Sequence, residues 1–337
     1  MLHPDTRLQA LGDWLDARLP ALFAARCWGD VPEGQLSPAS SDASFRRYFR
    51  WEGGGRSLIL MDAPPPQEDC RPFVKVAGLL AAGGVHVPEV LAADLDRGFL
   101  LLDDLGRQTY LDVIDESNAD ALFADAIEAL LRFQCQPVAA PLPGYDEALL
   151  RRELQLFPEW YVERHLQAPF TGEQEAAWQR VCRLLIDSAL AQPQVLVHRD
   201  YMPRNLMVSE PNPGVLDFQD AVLGPLSYDV TSLFKDAFLS WPEERVQGWL
   251  ESYWEQARAH GLPVPEHFAD FQRASDLMGA QRHLKVIGIF ARICHRDGKP
   301  RYLEDVPRFF SYLRTVLGRR PELAELGALL DELESRT

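Results

Sequence analysis

The chain has 337 residues, 47% of them hydrophobic, enough for two packed units with sizeable cores, which excludes a disordered or fibrous protein. Its 50 Asp and Glu against 34 Lys and Arg give a formal net charge of −16, a field that repels nucleic acid and anionic membrane surfaces. The five cysteines show no CxxC pair or zinc spacing, the N-terminus has no signal-peptide pattern and no stretch reaches a membrane span, so a soluble cytoplasmic protein with reduced thiols is expected.

Residues 5–25 carry Leu8, Leu11, Leu15, Leu19 and Leu22 at spacings of three and four, which predicts an amphipathic packing helix with Pro20 near its end. The period then changes to two. In "SFRRYFRW", Phe45, Phe49 and Trp51 fall on one face and Ser44, Arg46, Tyr48 and Arg50 on the other, so 44–51 predicts a half-buried strand. "EGGGR" turns the chain into a return strand, "SLILMD", which Pro64, Pro65 and Pro66 stop. Residues 67–83 read as a helix, and "VPEVLAAD" and "GFLLLDD" as two more short strands around a turn at 96–98. From about Thr109 onward the pattern is helical except for a β island at 195–218. The expected fold class is therefore α+β in two lobes. Residues 1–104 form a leading helix and a small antiparallel β-sheet with one helix, and 105–337 a larger, mainly helical lobe.

The island holds the chemistry. "VLVH" ends one strand, "NLMV" begins another and "SEPNPG" turns the chain back through "VLDF", which brings Asp200, Asn205 and Asp217 to one mouth of a hairpin. Phosphoryl transfer needs a carboxylate to accept the proton of an attacking hydroxyl, and hard oxygen ligands for the magnesium that neutralises nucleotide phosphates. Asp200 supplies the base, Asn205 one metal ligand and Asp217 a stronger one. An Asx turn accounts for an isolated Asp or Asn, but not for all three at this spacing between these strands.

"HRDYMPRN" followed by "DF" resembles the HxDxxxxN and metal-binding elements of the protein-kinase-like superfamily. The resemblance implies a bilobal protein-kinase-like fold, ATP and Mg2+ as cofactors, and His198 as the residue that braces the catalytic loop. Only "QDAVLGPLS" separates "DF" from the helix "YDVTSLFKDA", which leaves no room for a peptide-binding segment, so the match is closer to the aminoglycoside and choline kinase type. Asp229, at the start of that helix, reads as its N-cap. With "DASFRRYFR", "LMDAPP", "LLLDDLG", "ELQLFPEWY" and "QRHLKVIGIFARICHRDGK", the chain looks like the bacterial anomeric cell-wall sugar kinases over most of its length. That resemblance implies ATP-dependent phosphorylation of the anomeric hydroxyl of N-acetylmuramate and N-acetylglucosamine in peptidoglycan recycling.

Two departures from the superfamily pattern stand out. The glycine-rich phosphate loop is replaced by "SPASSDASFRRYFR", where Ser41, Ser44 and Arg46, or Arg47, can offer donors to phosphate; the arginines are equally explained as solvated strand residues. The strand "SLILMD" has Met61 or Asp62 where the superfamily lysine is expected, so a loop arginine or Lys75 has to replace it; the sugar-kinase resemblance makes this a family trait. By the same resemblance, adenine lies between the lobes against the backbone of Leu102, Asp103 and Asp104. For the acceptor, Glu153 can hydrogen-bond and Trp160 stack on a sugar, and Arg282, His283 and Lys285 can meet the carboxylate of N-acetylmuramate. A core position for Trp160 and a solvated helix face for the three basic residues are the plain readings. Two alternatives stay open: a kinase of choline, homoserine or an aminoglycoside, and a nucleotide-binding pseudokinase.

Overall fold

Asp5 starts the first helix, α1 (Thr6–Ala25), by accepting the backbone N–H groups of Arg7 and Leu8, each at 3.1 Å. The computed structural model describes residues 5–41, 45–136 and 142–334. It divides into two units, Met1–Gln108 with Met207–Asp220, and Thr109–Leu206 with Ala221–Thr337.

In the first unit, β1 (Gly34–Ser41), β2 (Arg47–Gly53), β3 (Arg56–Asp62), β4 (Val90–Asp94) and β5 (Phe99–Asp103) form an antiparallel sheet in the order β1-β2-β3-β5-β4. Helix α2 (Arg71–Ala82) is inserted between β3 and β4. Leu11, Trp14, Leu15, Leu19 and Phe23 of α1 pack on Phe49, Trp51, Leu58, Leu60, Phe99 and Leu101 of the sheet. Each such side chain contributes roughly 1.5–3 kcal/mol relative to leaving it in water. Pro20 sits inside α1, and the helix runs on to Ala25.

Strand β1 takes in the start of the Ser-rich stretch, Ser37–Ser41. It is an edge strand with a register shift between Pro38 and Ser40, the two places where a sheet tolerates proline. Strand β2 begins at Arg47, three residues later than the alternation predicts, so Phe45 lies in the preceding loop, outside the pleat, and is 67% exposed instead of buried. Phe49 and Trp51 are buried as expected, and so is Arg50 on the opposite face.

The second unit contains α3 (Tyr110–Val113), α4 (Ala119–Gln134), α5 (Glu147–Leu154), a π-helix (Phe157–His165) and α6 (Gly172–Leu190) before the β island. The island holds β6 (Gln194–Val197), β7 (Leu206–Met207), β8 (Gly214–Val215) and β9 (Val222–Pro225), of which Met207 and β8 belong to the first unit. Strand β7 pairs with β8, as the turn sequence implies, whereas β6 pairs with β9, a strand the sequence reading leaves out. Then follow α7 (Tyr228–Phe234), α8 (Glu243–Ala259), α9 (Phe268–Asp297), α10 (Val306–Leu317) and α11 (Ala324–Glu334). Helix α9 is buried along most of its length and ends at Gly298, whose φ of 67° forms the left-handed C-cap. No helix among the described residues is long and apolar enough to cross a membrane.

Candidate active site

Strand β6 delivers the chain to His198, and the next residues depart from regular structure. Arg199 adopts a φ of 77°, a conformation rare for a residue with a Cβ and one that persists only where its surroundings impose it. Here the imposing group is Asp229. Its carboxylate accepts the backbone N–H of His198 at 2.7 Å and that of Arg199 at 3.0 Å. Asp229 is therefore not the N-cap of α7, a position held by Ser227, but the post that fixes the 198–205 loop from 30 residues away. His198 is fully buried, packs against Phe133 and Tyr201, and its Nδ1 accepts the N–H of Asp200 at 3.3 Å. Tyr201 turns inward to donate to Ala126 O at 2.8 Å. Asp200 is left at the crest of the loop, half-buried.

Asn205 ends the short 3-10 turn Pro203–Asn205, and its Nδ2 donates to the backbone oxygen of Asp200 at 2.8 Å. With the nitrogen committed, Oδ1 is the atom Asn205 can offer a metal. In the first unit, Asp217 has a φ of 62°, accepts from Gln219 Nε2 at 2.8 Å, and precedes Phe218, whose ring is buried against Phe73 of α2 at 4.8 Å. Among the described residues no group of three or more His, Cys, Asp or Glu forms a metal cage. An amide oxygen and a carboxylate are the kinds of donor magnesium takes, one or two protein oxygens being completed by phosphates and water.

Burial drives the pKa of Asp229 up to about 6, despite the favourable charge of His198 and the two N–H donors. A carboxyl raised in the folded state binds its proton more tightly there, so its contribution to stability is full below about pH 4 and is lost as pH rises to about 6. The loss is on the order of 3 kcal/mol. Asp229→Asn removes this step: measured by denaturant unfolding, its stability relative to wild type is expected to improve by about that amount between pH 4 and pH 7. An unchanged difference across that range contradicts a titrating, buried Asp229.

Beside the loop lies a buried charge cluster. Glu153 on α5 accepts from Arg199 Nη2 at 2.6 Å, Lys285 Nζ at 3.1 Å, Gln281 Nε2 at 3.3 Å and the hydroxyl of Tyr145. Lys285 also donates to Tyr228 Oη at 3.0 Å. Burial works against the charge of Glu153, but Lys285 and Arg199 outweigh it and hold its pKa at about 2. Arg282, His283 and Lys285 are all buried on α9, so the solvated-face reading fails; the helix is enclosed on nearly every side, and polarity no longer marks a wet face. Trp160 is half-buried in the π-helix with the Arg164 guanidinium 4.4 Å from its ring centre.

The remaining expected residues lie in the first unit. Ser44 lies outside the described residues, and Ser41 is placed only by its backbone, at the end of β1. Arg46 lies 3.9 Å from Asp217 and 3.7 Å from Glu68; burial disfavours its charge, and Tyr48, Asp217 and Glu68 more than offset this. Arg47 is committed to Asp5 and to the buried Asp62, which also takes Arg7 Nε at 2.9 Å. Asp62 is thus neutralised by two arginines, and its neighbour Met61 is fully buried. Leu102 and Asp103 pair with Ile59 and Leu58 of β3, Asp103 also accepts Glu89 N at 2.6 Å, and Asp104 is clasped by Arg50 at 2.5 and 2.9 Å.

A family model described as a phosphotransferase enzyme family matches residues 35–271. The chain is 70% identical over 335 residues, 99% of each sequence, to a Pseudomonas putida protein named N-acetylmuramate/N-acetylglucosamine kinase. It is also 70% identical over 332 residues, 98% of each, to the Pseudomonas aeruginosa protein of the same name. Among solved structures, the streptomycin–ATP–APH(2")-IIa ternary complex aligns with a TM-score of 0.59 at 15% identity, covering 96% of this chain and 99% of that one, a likeness of fold.

Proposed function

Since this chain belongs to the phosphotransferase enzyme family, we propose that it transfers the terminal phosphoryl group of ATP to the anomeric hydroxyl of N-acetylmuramate and N-acetylglucosamine. The observation that carries this reading is the 70% identity, along nearly the whole chain, to two kinases named for those sugars. The reaction belongs to the cytoplasm, where ATP is supplied, and returns cell-wall sugar to synthesis.

Asp200 is the base. Held at the crest of a loop that Asp229 pins from behind, it accepts the proton of the sugar's anomeric hydroxyl as that oxygen attacks. His198 keeps the loop in shape through its contact with the Asp200 N–H. Asn205 through Oδ1 and Asp217 through its carboxylate would hold magnesium, which neutralises charge on the nucleotide phosphates. Arg46 takes the place of the absent lysine, since it lies 3.9 Å from Asp217, whereas the carboxylates that hold Arg47 are Asp5 and Asp62. Leu102 and Asp103 are already paired with neighbouring strands, so the backbone from Asp104 onward receives adenine, in a segment fixed by the clasp between Arg50 and Asp104.

The test is ADP formation with N-acetylmuramate, N-acetylglucosamine, choline and kanamycin as acceptors. Turnover is expected with the two amino sugars only. Turnover confined to choline or kanamycin contradicts the proposal.

A further inference from the structure

Buried cations in the second unit are generally matched with carboxylates. Arg199 and Lys285 share Glu153, and Lys235 lies 3.7 Å from Glu243 and 3.9 Å from Asp276. Arg282 departs from this pattern in its hydrogen bonds. It is 1% exposed, and neither its Nε nor its Nη1 has a hydrogen-bond partner among the described residues. The hydroxyl of Ser232 on α7 is likewise buried without a partner. Asp236, also 1% exposed, is an acid whose charge acts on Arg282 without a hydrogen bond between them, while its two oxygens accept the N–H groups of Ala237 at 2.7 Å and Phe238 at 3.3 Å. A buried guanidinium left with open N–H donors is costly to the fold and calls for a group that completes it.

Two runs of contacts lead from the neighbourhood of Arg282 toward Asp200 and Asn205. Three residues further along α9, Lys285 joins Glu153, which holds Arg199, the neighbour of Asp200. On the other route, the ring of Phe238, two residues past Asp236, lies 5.2 Å from the guanidinium of Arg204, the neighbour of Asn205. That loop is pinned by Tyr312, which donates to Leu239 O at 2.8 Å, and by Arg308 Nη1, which donates to Ser240 Oγ at 2.7 Å. A chain of net charge −16 repels an anionic sugar, so recognising one requires local positive charge in the acceptor site.

We propose that Arg282 is the receptor for the carboxylate of the acceptor sugar, and so the residue that sets the preference for an acidic amino sugar over its neutral counterpart. The planar guanidinium offers two N–H groups to a carboxylate, a match that an ammonium reproduces only as a point charge. The assignment rests on the amino-sugar reading above and deepens it.

The test is the ratio of kcat/KM for N-acetylmuramate to that for N-acetylglucosamine in wild type, Arg282→Lys and Arg282→Met. The ratio is expected to fall about 10- to 100-fold in the Met variant, the size of a charge-assisted hydrogen bond. The Lys variant is expected to recover part of it. A Met variant whose ratio is unchanged, with both rates intact or both reduced alike, makes Arg282 a structural residue and overturns the proposal. Where the Met variant does not fold, the Lys variant decides by the same ratio. A wild-type enzyme that phosphorylates neither sugar removes the amino-sugar reading itself, whereas an unchanged ratio with an active wild type removes only this assignment.

Discussion

Asparagine in place of Asp200 is expected to lower kcat by roughly 10²- to 10⁴-fold, the usual contribution of a positioned general base, while nucleotide affinity stays within a few fold. The substitution keeps the size of the side chain and the backbone bonds of residue 200 and removes only its capacity to hold a proton. The loop itself is fixed by other groups: Asp229 holds the N–H groups of residues 198 and 199, and Asn205 holds the carbonyl of residue 200. A loss confined to kcat is therefore the signature of the proposed base. A variant that retains more than about a tenth of wild-type kcat, or that loses nucleotide binding in proportion, contradicts the role.

Glu153→Leu is expected to cost about 3–5 kcal/mol, because it leaves Arg199 and Lys285 buried without their shared carboxylate. The readout is a fall in melting temperature on the order of 10 °C. The same cluster has a pH signature. A carboxylate whose folded pKa is depressed to about 2 contributes stability that is present above its ordinary value near 4.5 and is lost as pH falls toward 2. The wild type should accordingly lose stability below pH 4.5 more steeply than the Leu variant. Melting within about 2 °C of wild type at neutral pH would mean the cluster contributes nothing that its removal exposes.

Much of the first unit and the turn at 198–205 is legible in the sequence, because both are written in local patterns. The leucine spacing of α1, the proline stop after β3 and the "HRDYMPRN" turn each need only their immediate neighbours to be read. What escaped depends on distant partners. Asp229 looks like a cap because it opens a helix, and only the fold brings it to residues 198 and 199. Strand β1 carries serines and a proline with no alternation, and it exists because β2 supplies a ladder. Arg282, His283 and Lys285 look like a wet face because they are charged; the surroundings of α9 decide otherwise, and a single sequence holds no local record of them. Glu153 was visible as a polar residue near the site, but its four donors come from α9, the catalytic loop and the segment before α5.

The central claim, that Asp200 activates the anomeric hydroxyl of an amino sugar toward ATP, is tested most directly by phosphorus and proton NMR of the product formed from N-acetylmuramate. The account predicts a phosphate coupled to the proton on the anomeric carbon. Phosphate on any other hydroxyl of the sugar, or ADP released with the sugar unchanged, would contradict it.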